Sequence, residues 1–154
     1  MKQDFQAQFE KCIDKEAKLL RQLLNALDRE HEALTAHIQP ALLNSIVDEK
    51  LRCMQSIQER HGVRQTVMSF AGASTPAQMI EGNAQLMEKW HAYEADIRQA
   101  AMRNEENSAL VKILSIHNKQ ALDMLNRMIS PDTLTYGAKG QTRAHLGSAV
   151  LSQG

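Results

Sequence analysis

Two short runs set a carboxylate and an imidazole one helical turn apart: Glu88-Lys89-Trp90-His91, and the acidic variant Asp28-Arg29-Glu30-His31. Ferritin-like carboxylate centres are built from two such quartets plus a glutamate from each of two further helices, all aimed inward. Here His91 follows Trp90, an apolar seam residue, which turns the imidazole toward solvent, and the chain offers three long helices. His31 and His37 are six residues apart, which is not a one-face ligand spacing. His117 lies beside a seam and reads as packed or exposed rather than catalytic. Cys12 and Cys53 sit inside helical patterns, not in a disulfide or metal spacing, and read as thiols of a reducing compartment. Gly137-Ala138-Lys139-Gly140 lacks the strand before it and the helix after it that a phosphate cradle needs. Lys139 and Arg143 are too sparse for a nucleic-acid footprint. The expectation is a protein that is not an enzyme and carries no cofactor or metal. A ferritin-like metal-binding bundle is the weaker alternative.

The element that must position everything else runs from Asn83 to about Ile129, with no proline and no glycine. Stepping by seven, one seam reads Trp90, Ile97, Asn104, Val111, Asn118, Leu125. Its companion reads Tyr93, Ala100, Asn107, Leu114, Ala121, Met128. Nine of the twelve positions are apolar or aromatic, so the spacing predicts one long helix with a dry face over more than five heptads. The three asparagines cost stability in a packed seam but can fix register. At ~1.5 Å per residue this helix is ~70 Å long.

Upstream, Phe5, Phe9, Ile13, Ala17, Leu20, Leu24, Leu27, His31 and Leu34 recur every three or four residues, the mark of an amphipathic helix facing a core. Gln39-Pro40 opens a second helix, since proline is accepted in the first turn. Its stripe of Leu43, Val47, Met54, Ile57 and Met68 also takes in Lys50, His61 and Arg64, so its C-terminal part is less dry. The helix is expected to continue through Gly62, at ~1 kcal/mol relative to alanine, to about Ala71. Gly72-Ala73-Ser74 stops it, Thr75-Pro76 caps and starts a short turn through Ile80, and Asn83 caps the long helix. The fold class is therefore all-α: an antiparallel three-helix bundle or coiled coil with one long C-terminal helix, over residues 1–130. Ser130-Pro131 ends it. Residues 131–154 hold four of the seven glycines and no periodic apolar face, and read as an extended or flexible C-terminal tail.

Charge balances at 18 against 18, so no overall field draws the chain to nucleic acid or an anionic membrane. The first residues show no signal-peptide pattern and no window approaches ~18 consecutive apolar residues, so neither export through a signal peptide nor a membrane span is expected. What remains to be explained is apolar surplus. Leu110, Ile113, Ile116, Leu122, Met124 and Ile129 lie off the seam, where the corresponding upstream positions carry Glu88, Lys89, Arg98 and Arg103. A helix apolar on nearly every side must be buried on nearly every side. Either the two shorter helices wrap it, or the long helix overhangs them by ~20 Å and offers a docking surface for another amphipathic helix.

The segments Leu19-Leu20-Arg21-Gln22-Leu23-Leu24, Asn104-Glu105-Glu106-Asn107 with Leu110-Val111, and Leu134-Thr135-Tyr136-Gly137-Ala138-Lys139-Gly140-Gln141 together resemble the FlgN-type flagellar secretion chaperones. The tyrosine-glycine-alanine segment after the last helix is the most specific of them. The resemblance implies a cytoplasmic chaperone of the flagellar type III export system. Such a chaperone binds C-terminal helical segments of the hook–filament junction (hook-associated) proteins, keeps them unassembled, and brings them to the export gate, with the export ATPase complex as a further partner. It places cargo on the C-terminal part of the chain and the gate contact on Tyr136. Surplus apolarity, not a motif, selects Leu110, Ile113, Leu114, Leu122 and Leu125 for cargo. The rival reading is a coiled-coil adaptor outside secretion, forming a homo-oligomer through the asparagine-bearing seam.

Overall fold

Four helices make up almost all of the described residues of the computed structural model, 1–36 and 39–128: α1 (Lys2–Thr35), α2 (Pro40–Phe70), α3 (Pro76–Ile80) and α4 (Ala84–Met128). The all-α class and the order of elements are as the sequence predicts. The segment 131–154, Tyr136 included, lies outside the described residues. The chain divides into two compact units, Met1–Val111 and Lys112–Gly154; in the second, the described residues are the last turns of α4.

In the first unit, α1 is the central element. Its partners on α2 run in reverse order, Glu16 with Arg64 and Glu30 with Lys50, so the two helices are antiparallel. Its partners on α4 ascend together, Glu10 with Lys89, Glu16 with Tyr93 and Asp28 with Arg103, so those two are parallel. This is up–down–up topology, with α3 as a corner between α2 and α4. Gly72 and Gly82 stand at φ 70° and 78°, which is why glycine serves on either side of that corner. Gln78 Oε1 accepts the Ser74 and Thr75 backbone N–H groups, and Asn83 Oδ1 accepts that of Leu86, so both helix starts are satisfied locally. Gly62 does not interrupt α2, which ends at Phe70.

The core follows a strict 4-3 spacing on α1: Phe9, Ile13, Glu16, Leu20, Leu23, Leu27, Glu30, Leu34, all buried. Two of these eight are carboxylates, and each organises a polar layer. Glu16 accepts Arg64 Nε at 2.9 Å and Tyr93 Oη at 2.6 Å. Glu30 accepts Lys50 Nζ at 2.8 and 3.1 Å and Asn107 Nδ2 at 2.9 Å. The members of the second layer stand fourteen residues from their counterparts in the first on all three helices. Fourteen residues are two heptads, so the same seam position recurs.

Arg64 is held from its other side by aromatic rings. Its guanidinium carbon lies 5.0 Å from the Trp90 ring centre and 6.0 Å from those of Phe9 and Tyr93. Phe9 and Trp90, and Trp90 and Tyr93, pack tilted at 5.8 and 5.6 Å. Asn107 also donates to the Leu27 carbonyl, and its Oδ1 lies 2.9 Å from Nδ1 of His31. Among the described residues no buried side-chain nitrogen or oxygen is left without a partner. Each layer is therefore complete in one register only, and a slip by one turn would strand a charge in the core.

Candidate functional site

The long seam of α4 is dry over only part of its length. Trp90, Tyr93, Ala100 and Asn107 are buried, while Ile97 and every seam residue after Asn107 is at least partly exposed. The expectation of a buried face over more than five heptads is thus corrected. The apolar face continues in sequence, but burial stops at the second polar layer, and from Val111 to Met128 only Leu114 is half-buried.

The surplus apolar residues from Leu110 to Met124 are accordingly at least partly exposed, and Ile129 lies outside the described residues. Ile113, Leu122 and Leu125 are 48%, 60% and 53% exposed, and Leu110 and Leu114 are half-buried. With 3.6 residues per turn, Leu114, Ala121, Leu125 and Met128 share one helical face within 112–128, and Leu110 belongs to the first unit. Ile113 and Leu122 do not join that face; they flank it on opposite sides. Ile116 and Met124 lie near Ile113 around the helix, so the apolar surface of these turns wraps much of the cylinder. Over 112–128 it is interrupted by Lys112, Lys119 and Arg127 against the single carboxylate of Asp123. Ile113, Ile116, Leu122, Met124, Leu125 and Met128 thus give these turns a run of exposed apolar side chains, a candidate interaction surface.

His91 is exposed, with Nδ1 3.3 Å from Glu94. Glu30 and His31 are engaged by Lys50 and Asn107. His117 is exposed, and His37 lies outside the described residues. Burial pushes both thiols up, Cys12 with help from the Glu16 charge and Cys53 from Glu49, so neither is an activated nucleophile at neutral pH. Among the described residues no group of three or more His, Cys, Asp or Glu is arranged to hold a metal ion. No described helix is long and apolar enough to cross a membrane.

The sequence reading leaves Glu16 and Glu30 outside the core, because charges between apolar positions read as the solvated face. The signal was there. In the 4-3 series from Phe9 to Leu34 they fill the gaps that Ala17 and His31 fill less regularly.

A family model described as FlgN protein matches residues 1–144 of the chain. No curated protein and no solved structure matches it.

Proposed function

The chain belongs to the FlgN family of flagellar chaperones, and on that premise we propose that it holds helical C-terminal segments of the hook–filament junction proteins on the last turns of α4. There it keeps them soluble and unassembled in the cytoplasm, and delivers them to the export gate of the flagellar type III system. The observation that carries this reading is the exposure of Ile113, Leu122 and Leu125 on a helix whose upstream turns are built into a core. Leu114 and Leu125 supply the central line of contact and Ile113 and Leu122 its two margins, with Leu110 as the fifth cargo residue. Tyr136 is the residue proposed to dock at the gate, and the export ATPase complex is a further partner at that stage.

The energetics suit a carrier that must let go. A segment that folds on binding loses ~2–5 kcal/mol of the gross interaction to ordering. Micromolar affinity, ~8 kcal/mol, then needs ~10–13 kcal/mol gross, which several buried leucines at ~1.5–3 kcal/mol each provide. Release needs no chemistry on the chaperone.

The test is a pull-down from the source cell with the intact chain, with Leu122→Asp and with Tyr136→Ala. Leu122→Asp should lose the junction proteins, and Tyr136→Ala should keep them while losing the export machinery. Full capture of the junction proteins by Leu122→Asp would remove the assigned surface.

A further inference from the structure

The fourteen-residue spacing of the polar layers frames a second feature, which lies wholly within Met1–Val111. Between Lys50 and Arg64 on α2, and between Tyr93 and Asn107 on α4, each helix runs four turns, about 21 Å. Over that length α2 and α4 form the walls of a trough of about 730 Å³ floored by Leu20, Leu23 and Leu27 of α1. Leu51 and Met54 stand on one wall and Ile97 on the other, 54%, 45% and 40% exposed. These are large apolar side chains that the fold itself leaves uncovered, between two layers that it satisfies completely.

The lining says what kind of group enters. It includes no carboxylate, and its one permanent cation, Arg64, is buried against Glu16. An ionised side chain lowered here would lose its hydration and gain no counter-charge. The other polar groups of the lining are the amides of Gln55, Gln58 and Asn104, which both donate and accept and suit a neutral polar flank, and the imidazole of His61, whose Nδ1 lies 2.7 Å from the Arg64 guanidinium. A phosphate-rich or carboxylate-rich partner is therefore a poor match, and a neutral apolar one a good match.

Size and spacing narrow the choice further. Fifteen residues line the trough and six of them are already buried, short of the ~20–30 residues a side that a stable dimer uses. Twenty-one ångströms is the length of a helix of about fourteen residues. Leu51, Met54 and Gln58 follow each other at three and four residues, as do Ile97, Ala101 and Asn104 at four and three, the ridge spacing that receives another helix. Ala100 and Ala101 let a backbone approach closely, and Met54 repacks to suit.

We infer that this trough is a second helix-docking site, occupied by an uncharged amphipathic helix of three to four turns that the client protein supplies. Only the identity of the supplier rests on the chaperone reading, because none of the trough residues belongs to the surface proposed on the last turns of α4.

The experiment uses the full chain with labelled methionine methyl groups and one probe. That probe is a fifteen-residue peptide, acetylated and amidated, with leucines three and four apart and Gln, Ser and Ala elsewhere. Met54 reports the trough, and Met124 and Met128 report the last turns of α4. The expected result is a saturable shift of the Met54 signal that survives Leu122→Asp. Ala101→Glu, an exposed change that keeps the helix, should weaken it at least tenfold and lower capture of the junction proteins at least fivefold. A silent Met54, a shift that ignores Ala101→Glu, or a Met54 signal that moves with protein concentration alone (a second copy) would each overturn the site. Loss of peptide binding with full client capture would overturn the assignment to the client. Failure of the chaperone reading shows separately, as client capture that Leu122→Asp does not change.

Discussion

Tyr93 Oη donates to Glu16 Oε2 at 2.6 Å, across the interface of two helices whose residues lie 77 positions apart in the chain. The other oxygen of that carboxylate is taken by Arg64, so one buried anion joins all three long helices. Glu16→Leu is expected to cost about 3–5 kcal/mol, because it leaves the Arg64 charge buried without its partner. The double variant Glu16→Leu with Arg64→Met should recover most of that loss, since an apolar pair of similar size needs no charge compensation. Urea denaturation of the single and double variants measures this coupling. A double variant no more stable than Glu16→Leu would show that the layer is not a charge-pairing device.

The same contact sets an alkaline limit. Burial first, then the hydrogen bond to Glu16 and its charge, hold the Tyr93 phenol well above its ordinary range. The unfolded chain releases this proton near pH 10 while the folded chain keeps it, so the stabilisation is fully present below pH 10 and falls as pH rises above it. Lys89, raised by its hydrogen bonds to Glu10 and Asp14, acts in the same direction above about pH 10.5. In a Tyr136→Phe background, absorbance at 295 nm (a wavelength for phenolate) should show no ionisation of Tyr93 until the chain unfolds. Adding Tyr93→Phe should flatten the fall of stability above pH 10 by about one proton, near 1.4 kcal/mol per pH unit. An ordinary titration near pH 10 in the folded chain would contradict the burial of Tyr93 against Glu16.

Gly62 tests the continuity of α2. A Cβ built there meets nothing within 4 Å, and the residue lies inside an unbroken helix. Gly62→Ala is therefore expected to stabilise the chain by about 0.5–1 kcal/mol, by removing backbone freedom from the unfolded state. Thermal or urea unfolding measures it. A loss of stability would mean that the helix needs glycine at this point for a reason other than tolerance.

Helix number, order and boundaries were legible because proline, glycine and capping residues punctuate this chain clearly. Pro40, Gly72, Thr75-Pro76 and Asn83 each stand within a residue or two of an observed end. Seam burial was harder to read, because periodicity states which residues share a face and not whether anything covers it. Ile97 and Val111 keep the period as well as Trp90 does, yet they are exposed. The polar layers were half legible. Lys50 and Arg64 stand out in sequence as cations on the α2 stripe, but nothing in the periodicity of α1 pairs them with Glu30 and Glu16. Buried charges had to be matched across helices, which needs the antiparallel register that only the fold supplies.

The last turns of α4 should be dispensable for stability and indispensable for binding, and the two can be separated. Leucine and glutamine have nearly equal helix propensity, so Leu122→Gln with Leu125→Gln perturbs the helix itself little. Both side chains are more than half exposed, so the folded chain gives up little burial and the melting temperature should stay within ~2–4 °C. Leu27→Gln, in the core, serves as the contrast and should cost several kcal/mol or prevent folding, since it puts an amide in place of a leucine that is 1% exposed. If the exposed leucines are instead covered by a client helix, each contributes ~1.5–3 kcal/mol there. The double variant should then bind the C-terminal segment of a junction protein at least a hundredfold more weakly by calorimetry. An unchanged Kd would mean that the exposed apolar turns are not where the client sits.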